Sequence, residues 1–339
     1  MTSTVSTTTG TDRAAEPRTG ALDPELEQHR RELTGYCYRM LGSAFDAEDA
    51  VQETMVRAWR AQDRFEGRAS TRTWLYSIAT NVCLDSLNSR GRRARPMDLS
   101  SDPWQPVAGS LAASRGHESW VEPIGEAGVL ADTQDPADLA VQRESIKLAF
   151  VAALQYLPAR QRAVLILRDV LRWPAAEVAD LLETTTASVN SALQRAHATL
   201  AGRPASIGEV FDPLNAEQRE LLDAYVDAFQ RYDMDALVAL LHQDVTQNMP
   251  PYELWLEGPA DVAAWMVGPG AACRDSVLLP VRASGQPAFA QYKPAADGTR
   301  RPWAVHVLEI RDGRIGALTT FLDTRLFAAM GAPDFLPAA

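Results

Sequence analysis

The stretch that decides the fold runs from Asp46 to Leu87 and opens Asp46-Ala-Glu-Asp-Ala-Val-Gln-Glu-Thr54. Asp46 suits a helix N-cap, and Glu48 and Asp49 fall in the first turn, where carboxylates complement the helix dipole. Ala47, Ala50, Val51, Thr54 and Ala58 recur at helical spacing and predict one buried stripe. The opposite side carries Glu48, Asp49, Gln52, Glu53 and Arg57. Arg64-Phe-Glu-Gly-Arg-Ala-Ser-Thr-Arg72 reads as a short polar loop around one aromatic. A second helix, Thr71 to Leu87, places Trp74, Leu75, Ile78, Ala79, Val82 and Leu87 mostly on one face, and Arg90, Arg92, Arg93 and Arg95 close the unit. Taken alone, this is a small helical domain, acidic at one end and basic at the other. The bland reading of its acidic face is a solvated helix side.

Upstream, Pro24, Leu26, Leu33, Tyr36, Cys37, Met40 and Leu41 predict one amphipathic helix over 23–42, with Gly42 as its C-cap. The whole chain, at 339 residues, has room for two or three domains with real cores. Its net charge of −11 is an odd balance for a nucleic-acid-binding protein, so we divided it. Residues 23–95 hold 12 Arg/Lys against 11 Asp/Glu, and 143–203 hold 8 against 5. The acidity sits in 96–142, with 1 against 8, and in 204–339, with 10 against 18. Global charge therefore misleads about the two segments that could face DNA.

Cys37, Cys83 and Cys273 are far apart and odd in number, which fits reduced thiols in a cytoplasm and offers no zinc site. His29, His117, His197, His242 and His306 are equally scattered. We expect no metal and no cofactor, because neither a phosphate-cradling glycine loop nor a nucleophile elbow is present. No apolar run is long enough to span a bilayer, and residues 1–22 read as a disordered start without a signal-peptide core.

From Pro96 to about Asp138 no apolar period persists, and Pro, Gly, Ser and Asp mark an acidic linker in which Trp104 and Trp120 stand out as docking points. A second helical unit covers 139–203. Trp173-Pro174 opens a short helix, Glu183-Thr-Thr-Thr186 turns the chain, and a last helix buries Val189, Leu193, Ala196 and Leu200. That is a helix-turn-helix arrangement. At 100° per residue, Ala187, Ser191, Gln194 and Ala198 lie opposite the buried stripe, flanked by Ser188, Asn190 and Arg195. Gln and short polar groups suit base edges in a major groove, while hydroxyls and Arg suit phosphates. Any helix also has a polar outer face, so the shape alone does not decide.

Past Gly202 the pattern turns α+β. Helices over 216–232, 234–242 and 260–267 alternate with strand candidates at 245–250, 252–257, 276–283, 288–293, 303–310 and 314–322. Asp312-Gly313 signals a hairpin between the last two. Met249, Tyr252, Trp255, Trp265, His306, Phe321 and Asp323 are candidates to line an interior pocket. Strand alternation puts His306 and Glu309 on opposite faces, and a lone His on a half-apolar strand is more often structural than catalytic.

Three of these segments resemble known families. The acidic Asp-x-Glu-Asp-x-x-Gln-Glu helix, the Phe-x-Gly loop and the Thr73-Trp-Leu-Tyr-x-Ile-Ala-x-Asn81 helix resemble the core-binding and promoter-melting domain of bacterial RNA polymerase sigma factors of the extracytoplasmic-function type. Leu157-Pro-x-x-Gln-Arg162 through Ser188-Val-Asn-Ser-Ala-Leu-Gln-Arg-Ala196 resembles their −35-reading domain, although many relatives carry Arg where this chain has Asn190 and Ala192. Trp120-Val-Glu-Pro123 resembles a sigma-G-like branch, in which the motif usually runs on to Pro-Asp; here Gly125-Glu126 stands instead. The order of elements past 206 resembles the cone of SnoaL-like, nuclear-transport-factor-like domains.

The resemblance implies two all-α domains (23–95 and 139–203) followed by an α+β SnoaL-like regulatory domain (206–339). It implies a sigma factor, not an enzyme, with RNA polymerase core and promoter DNA as partners. Asp46, Glu48, Asp49, Gln52, Glu53 and Arg57 would bind the polymerase clamp. Phe65, Arg68, Thr71, Arg72, Trp74 and Asn81 would read and melt the −10 element, and Ser188, Asn190, Ser191, Gln194 and Arg195 the −35 element. The acidic linker would lie in the polymerase channels. A small-molecule ligand of the C-terminal domain, bounded by Tyr252, Trp255, Trp265, His306 and Phe321, is a candidate modulator. Whether a separate anti-sigma protein exists stays open. Two other readings are a SnoaL-type enzyme with a DNA-binding leader and a simple DNA-binding regulator. Both leave residues 24–95 idle.

Overall fold

The computed structural model describes residues 24–67, 69–88, 91–130, 135–201 and 208–337. The first unit is helical: α1 (Pro24–Glu27), α2 (Arg30–Leu41), α3 (Ala44–Ala61) and α4 (Thr71–Asn88). The single helix expected over 23–42 is therefore two, broken at Gln28-His29. Gly42 does cap α2 in the left-handed region (φ 74°), its N–H donating to the Tyr38 carbonyl at 2.7 Å. Asp46 is not the cap of α3. Ser43 takes that place, its Oγ accepting from the Asp46 N–H at 3.2 Å, which puts Asp46 in the first turn. Leu33, Tyr36, Cys37, Val51, Met55, Leu75, Tyr76 and Ala79 meet in the core of these helices.

The stretch expected to be an acidic linker with Trp104 and Trp120 as docking points is ordered where it is described. It is built of 3-10 turns (Pro96–Asp98, Ala108–Leu111, His117–Ser119, Glu126–Gly128), and every residue from Trp120 to Glu126 is buried. Its first half lies on the C-terminal domain: Trp104 N–H donates to the Trp255 carbonyl at 2.8 Å, and Arg115 pairs with Glu253 at 2.6 Å. Its second half wedges under α2 and α3. The extent of this order is not visible in the sequence, because the apolar residues of the linker follow no period.

The second unit holds α5 (Pro136–Glu144), α6 (Leu148–Leu154), α7 (Ala159–Leu165, continued by a π-turn to Val170), α8 (Ala175–Leu181) and α9 (Thr186–Leu200). Thr185 caps α9, its Oγ accepting from the Ser188 N–H at 3.1 Å.

The third unit has α10 (Ala216–Arg231), α11 (Met234–Ala239), β1 (Leu241–Asn248), β2 (Trp255–Glu257), α12 (Pro259–Val267), β3 (Val277–Ala283), β4 (Gln286–Pro294), β5 (Arg300–Arg311), β6 (Arg314–Phe321) and α13 (Leu326–Ala329). The strands form one sheet in the order β2-β1-β6-β5-β4-β3. It is mixed, not antiparallel throughout, because β1 runs parallel to β6. Asp312 and Gly313 both have positive φ (50° and 67°), as the hairpin turn requires. One sheet face (Phe289, Leu308, Leu318) packs on α10 and α12 through Leu221, Tyr225, Phe229 and Trp265. The other (Ala288, Ala290, Val305, Val307, Phe321), with Phe327 of α13, joins the core that runs through both helical units. The C-terminal domain is thus not a separate bead.

Candidate nucleic-acid interface

On α3 the exposed face is Glu48, Asp49, Gln52 and Arg57. Glu53 is partly covered by Arg57, whose Nε donates to Glu53 Oε1 at 2.7 Å while the guanidinium also reaches Asp85 at 3.6 Å. The Glu53 hydrogen bond raises the Arg57 pKa. Trp59, two helical turns beyond Gln52 on the same azimuth, is 40% exposed and extends this face with an aromatic that sequence reading did not assign. The unusual exposure of its large ring is the only signal, and periodicity does not carry it. Asp46 departs from the expected set. It is paired with Arg93 at 2.6 Å, with side-chain exposures of 14% and 7%, and ties the start of α3 to the strand of chain that leaves α4. Arg93 also donates to the carbonyls of His117 and Trp120 (3.0 and 2.7 Å).

Phe65 stacks on Trp74, ring centroids 4.6 Å apart at 21°. Together with Ala61, Arg64, Thr73 and Ser77 they line a cleft of about 540 Å³, which Asp180 and Leu181 of α8 close from the other side. Thr73 Oγ donates to Glu177 Oε1 at 3.1 Å across the same contact. Arg72 is only partly covered, its side chain 42% exposed. It pairs with Glu32 at 2.8 Å and lies 4.9 Å over the Trp173 ring; burial works to lower its pKa, and the Glu32 hydrogen bond overcomes that and raises it. Thr71 donates to Glu25 at 3.3 Å. Asn81 is exposed but lies one turn beyond Ser77, outside the lining of the Phe65–Trp74 cleft. Arg68 lies outside the described residues.

On α9, Ser188, Asn190, Ser191, Gln194 and Arg195 are all exposed, with Val189 and Ala196 buried behind them and Leu193 partly so. The face computed from helical geometry is the face presented.

The candidate pocket set does not converge. His306 and Phe321 lie on opposite faces of the sheet: Phe321 is opposite Val305, and His306 is opposite Thr320. Phe321 packs in the interdomain core. Trp265 packs in the C-terminal domain's own core, with Met249 and Tyr252 against it. Trp255 is covered by the linker, its Nε1–H donating to Ser100 Oγ at 2.9 Å, and Ser114 bridges to Tyr252. His306 is buried, with Nε2 2.8 Å from Gln291 Oε1 and Nδ1 3.2 Å from Tyr225 Oη. Gln291 Nε2 donates onward to Ser276 Oγ at 2.9 Å, so Gln291 Oε1 faces His306 as acceptor and the proton sits on Nε2. Burial pushes the imidazole pKa down to about 4, and the ring is a neutral structural hub.

Where the three units meet, the linker is bonded on both sides. Tyr38 Oη donates to the Glu122 carbonyl at 2.8 Å, Glu122 N–H donates to the Gly42 carbonyl at 2.9 Å, and Ser43 Oγ donates to the Glu122 carboxylate. Ser284, in the β3–β4 turn, exchanges two bonds with Ile124: its N–H to the Ile124 carbonyl (2.9 Å), and the Ile124 N–H to its Oγ (3.1 Å). A Cβ at Gly125 would come 2.3 Å from the Ala329 carbonyl oxygen, which gives this chain's Gly-Glu a physical reason. Among the described residues, His117, Glu122 and Asp323 lie close enough to share a metal ion. Two of the three are already engaged, Asp323 by Arg325 at 2.6 Å and Glu122 by Ser43.

Residues 26–93 match sigma-70 region 2, 147–200 match sigma-70 region 4, and 222–317 match the SnoaL-like domain. The chain is 44% identical to the ECF RNA polymerase sigma factor SigG of Mycobacterium tuberculosis, over 95% of its own length and 86% of that protein's. It is 28% identical to SigJ of the same organism, covering 87% and 89%. The crystal structure of SigJ superposes with a TM-score of 0.58 at 24% identity, covering 91% of this chain and 99% of that one, so the order of units is a shared fold. Among the described residues no helix is long and apolar enough to cross a membrane. The region 2 match on α1–α4, the region 4 match on the helix-turn-helix, and the near full-length identity agree: the chain belongs to the extracytoplasmic-function RNA polymerase sigma factors and directs RNA polymerase to promoters.

Proposed function

We propose that the Glu48/Asp49/Gln52 face of α3, extended by Trp59, binds the polymerase core. The Phe65–Trp74 cleft then receives an unstacked −10 base, and Ser191, Gln194 and Arg195 read the −35 element. Receiving a flipped base costs a few kcal/mol of stacking, which an aromatic pair at the mouth of a cleft is suited to offset. Action on RNA polymerase assigns the protein to the cytoplasm, and no reaction is assigned to the C-terminal domain.

The observation that carries the finer part of this reading is the contact between the two DNA-reading units. Elements named −35 and −10 lie about 25 base pairs apart, roughly 85 Å at ~3.4 Å per pair. Here the −10 cleft touches α8 directly, through Thr73–Glu177 and Leu181. Both elements cannot be engaged at once in this arrangement. The units must separate, which breaks their direct contacts (Arg39–Ser145, Tyr76–Trp173) together with those that the linker and the sheet face of the C-terminal domain add to the same core. The C-terminal domain is therefore a regulator of opening.

Promoter-dependent run-off transcription with purified core polymerase tests both levels. Glu177→Ala should preserve promoter choice and raise initiation at limiting protein, because it removes a bond that exists only in the docked state. No initiation by the full chain would overturn the assignments of surface. Equal initiation by Glu177→Ala and the parent, with Leu181→Ser equal as well, would overturn the regulatory part alone.

A further inference from the structure

A second cleft, of about 720 Å³, opens where the linker, α5, β3 and α13 meet, with Arg31 of α2 at its edge. It lies away from the helical face of the sheet on which His306 sits. Its volume falls in the range of small-molecule sites. Leu130, Leu139 and Leu279 give it apolar walls. Its polar side is Glu126, Arg143 and Arg282.

The polar side is incompletely satisfied. Glu126 and Arg143 side chains are 6% and 13% exposed, and their closest approach, Nε to Oε2, is 3.7 Å, too long for a hydrogen bond. Glu126 Oε1 and Arg143 Nε are both buried without a hydrogen-bond partner. Such atoms are uncommon in folded proteins; the Arg143 Nε–H is the one that an incoming anion can satisfy, because Glu126 Oε1 is itself an acceptor. Burial raises the Glu126 pKa against the pull of Arg143 and Arg282, so these two guanidinium groups act on the same spot. One carboxylate among several guanidinium groups leaves the lining net positive, and the occupant must bring negative charge. The apolar walls require that the charge be carried on an organic body.

We infer that this junction cleft binds a small organic carboxylate, its anionic group over Arg143 and Arg282 and its apolar body against Leu130, Leu139 and Leu279. The walls come from the linker, α5 and the C-terminal domain, so the site exists whole only while these are docked. A bound carboxylate therefore stabilises the docked arrangement. This consequence rests on the docking reading given above; the binding itself does not, and it is measured without polymerase.

The probe is 2-naphthoate, titrated calorimetrically into the full chain, with the neutral 2-naphthalenemethanol as its isosteric partner. Naphthoate should bind and raise the thermal midpoint, and the alcohol should bind about ten- to a hundredfold more weakly, the loss expected for a charged hydrogen bond. Arg282→Gln, at an exposed position, should weaken naphthoate by a similar factor, and Leu139→Glu should abolish it. Arg219→Gln, on α10, should change nothing, and circular dichroism checks that each variant is folded. Absence of naphthoate binding, equal affinity for acid and alcohol, or undiminished binding by both cleft variants overturns the proposal. If naphthoate binds as expected while transcription is indifferent to Glu177→Ala, the site stands and the docking reading falls.

Discussion

Gly125→Ala adds one methyl group at the point where the linker passes α13. The backbone there is extended (φ −65°, ψ 130°), so alanine meets no conformational penalty and the effect is pure contact. The new Cβ would sit 2.3 Å from the Ala329 carbonyl oxygen, a distance real Cβ atoms essentially never show. Relief needs a backbone displacement of roughly 0.7–1 Å between the linker and α13, and overpacking of that kind costs about 1–3 kcal/mol. The cost falls on the docked state alone, since the separated units have no such contact. The docked-to-open ratio should therefore drop by about 5- to 150-fold. Gly128→Ala is an internal control, because nothing lies within 4 Å of a Cβ there, three residues along the same turn. Urea denaturation should show a lowered midpoint for Gly125→Ala and none for Gly128→Ala. Small-angle scattering should show a larger radius, and run-off transcription at fixed core a higher yield, for the first variant only. Identical behaviour of the two variants in all three measurements would refute the claim that this contact holds the units together.

Charge reversal of Asp49 and Glu53 to Lys should abolish co-purification with polymerase core while helical content is unchanged, since both lie on the solvent side of α3; retained core binding removes the acidic face from the mechanism. Gln194→Ala should cost about 1–3 kcal/mol at a single −35 base position, whereas Arg195→Ala, as a phosphate contact, should weaken all promoters alike and lower the salt slope by about 1. Uniform losses from both in a promoter-library selection would show that neither reads sequence. His306 is held near pKa 4 against 6.5 for the free imidazole, so on acidification the unfolded chain takes up this proton first. Its share of stability is complete above about pH 6.5 and declines as pH falls toward 4, by about 3 kcal/mol in all. His306→Gln should flatten the stability–pH curve in that window; an unchanged curve would mean that this proton is not linked to folding.

Much of the fold was legible because helices repeat. The stripes of α3, α4 and α9, and the exposed face that carries Ser191 and Gln194, follow from 100° per residue without any partner. The Asp312-Gly313 hairpin was legible because only a few residue types accept positive φ. The start of α3 was misread although a signal was there: Ser43-Ala-Phe-Asp46 is a capping-box pattern, with the cap three residues before the first carboxylate. The parallel partner of β1 was not legible. Thr246 lies beside Ala317, and no local pattern announces a strand some seventy residues away.

The misplaced site residues share one physical reason. Arg72, Asp46 and Phe321 have the right chemistry for a surface or a pocket, but each is consumed by a group distant in sequence: Glu32 and Trp173, Arg93, and the interdomain core. A charged residue at a predicted exposed position is available to a partner only if no internal counter-ion reaches it first, and that depends on tertiary placement. The linker makes the same point more strongly. Periodicity arises when an element repeats its own geometry, so it exposes helices and strands. Residues 120–126 repeat nothing, because their shape is dictated by Tyr38 and Gly42 on one side and Ser284 and Ala329 on the other. A segment whose conformation is imposed by its neighbours reads as loop in any single sequence, whatever its burial. Its composition still carried one trace: a Trp, a Val and an Ile gathered within five residues of an otherwise polar run have no reason to be there unless another surface covers them.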